Sequence, residues 1–253
     1  MNTVLTAPKP YAASHRWRIN TMMKPITLSA TQAAIEGIQQ YIRDHSLTSG
    51  DILPSETELC DELNCSRSSV REAMRTLQSL DVVEVRRGQG TFVAGMTLSP
   101  MVQGMVLRAT LDPDHTAAHL HEVIATREFL ELSVVDELMS AHTKESLDSL
   151  NQLASNMRTS FSEYGSFMDE DQQFHAALLS PVSNALMREL AGAMWQVYAQ
   201  LIDICEIPIT VDAERTIKNH ESIVRALRNK DAVAYREAVQ NHYAPLRAAI
   251  AQL

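Results

Sequence analysis

Cysteine is scarce, with only Cys60, Cys65 and Cys205 in 253 residues. An odd number at such spacing makes neither a disulfide framework nor a metal-binding cysteine cluster, so a reducing compartment is expected. Long apolar runs are missing too. No stretch reaches the 18 residues that would suggest a membrane span, and the first 24 residues lack the apolar centre of a secretion signal. These absences point to a cytoplasmic protein with no membrane partner. A surplus of positive charge is also lacking: 22 Lys and Arg face 31 Asp and Glu, a net charge of −9. Bulk attraction to a polyanion is therefore excluded.

Divided by segment, the charge is uneven. Residues 1–24 hold four bases and no acid, residues 25–95 six bases and ten acids, and the remainder twelve bases and twenty-one acids. Five of the six bases in the middle segment are Arg67, Arg71, Arg75, Arg86 and Arg87. A local basic face on an acidic body suits specific, salt-sensitive docking on DNA.

Those arginines lie in Gly50–Val93, the most informative stretch of the chain. Ser55 and Glu58 form a capping box that starts a helix carrying Leu59 and Leu63. Asn64-Cys65 interrupts it, and Ser66 caps a second helix over about 67–79 whose apolar side is Val70, Ala73, Met74 and Leu77. Arg67, Ser68, Arg71 and Arg75 then face another surface, where they suit phosphates and base edges. Val83 and Val85 next alternate with polar residues, and Thr91-Phe92-Val93 returns as a strand after Gly88 and Gly90. The pattern is a hairpin tipped by Arg86 and Arg87, which a minor groove would attract. Helix, turn, helix and hairpin in this order predict a winged helix-turn-helix.

At these residues the chain resembles the GntR family of bacterial transcription regulators. The resemblance rests on Leu53-Pro54-Ser55-Glu56, Glu58-Leu59, Ser66-Arg67, Val70-Arg71-Glu72-Ala73 and Gly88-Gln89-Gly90-Thr91-Phe92-Val93. It implies DNA contacts from Ser66, Arg67, Ser68, Arg71, Arg75, Arg86, Arg87, Gly88 and Gly90. Two positions depart from the family pattern. Thr57 stands where Arg is usual, and Asp81 replaces a glycine after the recognition helix, where left-handed geometry is expected.

Before the reader, Ser29 and Gln32 suggest another capping box, opening a supporting helix with Ile35, Ile38 and Ile42. Beyond Pro100 no strand pattern appears. Helices are expected near 101–110, 116–140, 144–161, 163–179, 182–205, 212–228 and 232–251, with Ser180 capping Pro181 and a kink at Pro245. What interrupts their apolar stripes is informative. Asp171 and His175 lie one turn apart with Phe167, Met168, Phe174 and Leu178; His220 falls between Ile217 and Val224; His242 falls between Val239 and Leu246. Burying these groups without partners is costly, and a divalent metal would satisfy all four. The plainer alternative gives each an ordinary hydrogen bond. Arg127 and Glu131 interrupt a fourth stripe, either as an internal salt bridge or with Arg127 offering its fork to a carboxylate. His115, His119, His121 and His142 fall off that stripe and are assigned to the surface.

This half resembles the FCD effector domain of FadR-type GntR regulators through Arg127 to Glu131, Asp171 to His175, Asn184, Asn219-His220 and His242. The resemblance implies a metal held by Asp171, His175, His220 and His242, and a small organic acid bound by Arg127 and Asn184. Zinc is the first candidate ion, with nickel and manganese as the others. The expected architecture is mostly α: a disordered basic arm (1–27), a winged helix-turn-helix (28–95) and an all-helical domain (96–253). The expected function is a ligand-responsive regulator, a repressor of organic-acid or sugar-acid metabolism, binding double-stranded operator DNA as a homodimer. A metal sensor and a metal-dependent enzyme fused to a DNA reader are the alternatives.

Overall fold

The computed structural model describes residues 29–205 and 213–251. The expected basic arm, residues 1–27, lies outside the described residues. Helix α1 (Ala30–Asp44) starts at Ser29, whose side chain accepts the Gln32 amide. The reciprocal half of that capping box is absent, because the Gln32 side chain bonds Glu36 instead. Helix α2 (Glu56–Leu63) has both halves of its box and ends on Asn64 in the left-handed region, φ 48°. Ser66 then caps α3 (Arg67–Ser79), whose stripe of Val70, Ala73, Met74 and Leu77 is buried in one core with Ile38 of α1 and Leu59 of α2.

Strands β1 (Val83–Arg86) and β2 (Gly90–Val93) pair antiparallel, with Arg86 opposite Gly90. The tip requires left-handed backbone at Gly88 (φ 73°) and Gly90 (φ 114°). The other edge of β2 is covered by the segment before α2: Leu53 donates to the Thr91 carbonyl at 2.8 Å and Ile52 bridges Phe92. The winged helix-turn-helix is thus present as expected. Asp81 does adopt the left-handed conformation, φ 57°. Its carboxylate accepts from the Thr97 amide at 2.8 Å and the Thr97 hydroxyl at 2.6 Å. Glycine could not make these bonds, so here the end of the recognition helix is fastened to the linker.

The second domain is all-helical: α4 (Ser99–Thr110), a 3-10 turn (Pro113–His115), α5 (Thr116–Ser133), α6 (Val135–Ala141), α7 (Lys144–Tyr164), α8 (Met168–Leu179), α9 (Ala185–Ile204), α10 (Ala213–Arg228) and α11 (Ala232–Ile250). A single core joins them, including Leu120, Leu150, Phe174, Val197, Ile217 and Tyr235.

Three boundaries differ from expectation. The helix expected over 116–140 is two, because Ser133 donates its hydroxyl to the Leu130 carbonyl and competes for the acceptor that the Val134 amide would use. Gly165, at φ 71°, stops α7, so Tyr164 ends that helix 78% exposed and α8 begins only at Met168. Ser180 and Pro181 do not open α9. Ser180 bonds back to Ala177, and Asn184 is the N-cap, accepting from the Met187 amide. His142 is also not a surface residue. It is half-buried between Ser146 and the Leu178 carbonyl, tying the end of α6 to the end of α8.

Helix α11 continues through Pro245, and α10 supplies what the proline withholds. Pro245 has no N–H for the Asn241 carbonyl four residues back, and the Asn219 side chain donates to that carbonyl at 2.9 Å. The contact joins α10 to α11 beside His220 and His242.

Candidate DNA-reading face and metal site

Helix α3 and the wing present their arginines to solvent. Arg71 pairs with Glu56 at 3.3 Å, Arg75 with Glu72 at 2.5 Å, and Arg86 with Glu84 while lying 4.2 Å over the Phe92 ring. Exposed pairs of this kind are worth roughly 0–1 kcal/mol, so they hold the guanidiniums ready without locking them away from DNA. Arg67, Ser68 and Arg87 are exposed on the same helix and tip. Ser66 is engaged as a cap, accepting from the Ser69 amide at 3.2 Å.

In the helical domain, Asp171, His175, His220 and His242 converge from α8, α10 and α11. One donor atom from each lies within 4.8 Å of all the others, and all four residues are buried. Three of them, Asp171, His175 and His220, are aimed by a neighbour, as metal-binding side chains require. The indole of Trp195 donates to Asp171 Oδ2 at 2.8 Å, leaving Oδ1 at 3.1 Å from His220 Nε2 and 3.6 Å from His175 Nε2. His220 Nδ1 contacts the Thr216 carbonyl at 2.9 Å, which turns Nε2 toward the cluster. His175 Nδ1 lies 2.7 Å from Glu131 Oε1, which also accepts the Tyr243 hydroxyl at 2.7 Å.

Electrostatics bind the cluster together. Burial pushes the Asp171 carboxyl up, but His175 and His220 outweigh it and hold it well below the usual carboxylate range. Burial pushes His175 down, yet Glu131 and Asp171 raise it to about 9. His242 is driven well below its ordinary value by burial and by the other two imidazoles. Even so, no well-aligned hydrogen bond reaches the buried His175 Nε2, His220 Nε2 or His242 Nδ1, although the first two lie 3.6 and 3.1 Å from Asp171 Oδ1. Orphaned imidazole nitrogens around one carboxylate form a donor set that fits zinc, nickel or manganese.

Beside the cluster opens a cavity of about 320 Å³, lined by Arg127, Glu131, His175, Arg188 and Trp195 among others. Arg127 is 3% exposed, and neither of its terminal nitrogens has a hydrogen-bond partner. The Arg127–Glu131 salt bridge suggested by their spacing is not formed. Arg127 lies instead 3.9 Å from Asp171 Oδ2, with its guanidinium 4.4 Å from the centre of the Tyr198 ring. A buried fork over an aromatic ring, with a carboxylate near it but no hydrogen bond to either terminal nitrogen, is prepared for an oxyanion.

Residues 30–93 match the gntR family of bacterial regulatory proteins, and residues 122–245 match the FCD domain. The chain belongs to the GntR family. Its relatives include the galactonate operon transcriptional repressor of Escherichia coli, 23% identical over 84% of this chain and 93% of that protein. The Uxu operon transcriptional regulator of the same organism is 28% identical over 76% of each chain. The transcriptional repressor NanR of Cronobacter sakazakii is 27% identical over 82% of this chain and 80% of its own length. The solved structure of a GntR protein from Streptococcus agalactiae shares the fold, with a TM-score of 0.65 and 23% identity over 86% of this chain and 99% of that one. The protein is therefore a DNA-binding transcription regulator and not an enzyme.

In this GntR-family regulator the expected metal ligands and Arg127 meet at one place. Asn184 does not join them; it is exposed, caps α9 and does not line the cavity. Trp195, Tyr198 and Tyr243 were not singled out from the sequence, because each sits on an apolar stripe where an aromatic residue reads as core. The signal available for Trp195 was its spacing of one N–H donor on a helix that follows Asp171 and His175, which is too common to identify it.

Proposed function

We infer that this chain is a cytoplasmic, homodimeric repressor whose hold on operator DNA is set by a sugar acid bound at a metal centre. The observation that carries this reading is the cavity lined by both Arg127, whose terminal nitrogens have no hydrogen-bond partner, and His175, one of the four clustered, buried metal-ligand side chains. A divalent ion held by Asp171, His175, His220 and His242 would offer its open positions to oxygen donors. Arg127 pairs the carboxylate, Trp195 fixes Asp171, and Glu131 and Tyr243 fix His175. The galactonate repressor is, by its name, a sugar-acid regulator, which supports the same effector class here.

On the DNA side, Arg67, Arg71 and Arg75 enter the major groove and Arg86 and Arg87 the minor groove, with Gly88 and Gly90 letting the tip approach the backbone. One such reader spans a short half-site, so two readers related by a two-fold axis are needed for a palindrome.

Helix α9 links the two ends. Gly192 and Gln196 line the effector cavity and also a cleft whose other wall is the linker, Gly95 to Ser99. Thr97 of that linker is the residue fastened to Asp81 at the end of α3. An acid that draws α5 and α9 toward α8 changes the seat of the linker and so the placement of the reader. Gel-shift titration of the metal-loaded protein against a panel of aldonic, uronic and aldaric acids tests the reading. At least one acid is expected to release the operator, and release by none of them would overturn it.

A further inference from the structure

The effector cavity has a second positive end. Arg188, Gly192 and Trp195 fall at i, i+4 and i+7 on α9, one face of the helix, and all three line the cavity. Trp195 marks the metal end through its bond to Asp171. Arg188 stands seven residues away, about 10 Å along the helix axis. Among the described residues no carboxylate lies within ion-pair distance of Arg188. The one hydrogen bond of its guanidinium, from Nη1 to the Val182 carbonyl within the α8–α9 turn, fixes the stem and leaves the rest of the fork unpaired. Between the two ends sits Gly192, where an added Cβ would meet nothing within 4 Å. A glycine inside a helix costs about 0.5–1 kcal/mol relative to alanine, and here it leaves the floor of the cavity clear.

Charge supports the same picture. With a divalent ion on the four ligands, the ion, Arg127 and Arg188 outweigh Asp171 and Glu131 by two positive charges. A ligand with one carboxylate would neutralise half of that excess; a dianion would neutralise all of it.

We propose that Arg188 is a specificity-determining residue, and that the effector is a sugar acid with an anionic group at each end. One group meets Arg127 and the metal ligands, and the other pairs with Arg188. The carbons between the two groups lie along the stretch of α9 from Trp195 to Arg188, both of which line the cavity. Their hydroxyls face Gln172, Ser180 and Gln196, which line the cavity at its exposed rim. The distal group is a carboxylate or a phosphate, since both match a guanidinium fork.

This inference rests on the sugar-acid reading above, and one experiment separates the two. Isothermal titration of the zinc-loaded full chain compares gluconate and galactonate with glucarate, galactarate and 6-phosphogluconate. A diacid or the phosphate compound is expected to bind about ten-fold tighter or more than the matching monoacid, the gain from a charge-assisted hydrogen bond. Arg188→Gln should bring that ratio near one without changing monoacid affinity, and Arg188→Lys should retain part of it. Thermal melting of each variant checks the fold. Monoacids that bind wild type as tightly as the dianions, or a preference that survives Arg188→Gln, would overturn the proposal and leave the sugar-acid reading standing. Binding of neither class to folded, zinc-loaded protein would sink both.

Discussion

Removing the metal should lower the melting temperature without unfolding the protein. The candidate ligands come from α8, α10 and α11, so a bound ion would tie together three helices that share an apolar core. An ion present at a hundred times its Kd stabilises the folded state by about 2.7 kcal/mol. In a domain of this size each kcal/mol moves the midpoint by about 2–4 °C, so chelation should cost about 5–11 °C. The stripped domain should still fold because its buried charges balance: Arg127 and protonated His175 offset Asp171 and Glu131. His220→Ala should melt close to the stripped wild type and ignore the chelator, since the lost imidazole is fully buried within the donor set. Differential scanning calorimetry with chelator, and again after zinc is restored, reads all of this alongside metal analysis of the purified protein. No bound ion, together with identical melting under chelation and zinc addition, would show the cluster to be a set of polar core residues and refute the metal argument.

Other predictions follow from the reader and its link. Arg71→Ala should weaken specific operator binding by about 1–3 kcal/mol in gel-shift titrations while leaving weak, salt-dependent binding to random DNA; unchanged specificity would mean that α3 docks differently. Light scattering at micromolar concentration should show a dimer, and a monomer both with and without operator would contradict the two-reader arrangement. Asp81→Gly keeps the left-handed backbone but removes both bonds to Thr97. That variant should bind operator without effector as wild type does, yet need more effector for release; an unchanged release curve would rule out the linker route.

The reader was legible because its signals are local. Ser55 with Glu58, the stripe of Val70, Ala73, Met74 and Leu77, and the glycines around Gln89 each act over a few residues, and each is found where the pattern placed it. The four metal-ligand candidates were legible for a related reason, since a polar residue on an apolar stripe of a helix must turn inward. Their convergence, the service of Trp195 and Tyr243, and the relief of the Asn241 carbonyl by Asn219 depend on which helices pack together. Periodicity within one helix carries no such information. The boundary errors at Ser133 and Asn184 came from side-chain hydrogen bonds that compete with or cap the backbone, where Ser and Asn have several equally ordinary uses.

If metal and acid act as one site controlling the reader, the acid must depend on the ion for its effect on DNA binding. Fluorescence anisotropy of labelled operator, titrated with the best acid from the panel, tests it in two samples of the same protein, zinc-loaded and chelated. Release by the acid is expected from the loaded protein, and from the chelated protein persistent operator binding that the acid no longer disturbs. Equal release from both samples would contradict it, because the acid would then reach the reader without the Asp171, His175, His220 and His242 centre.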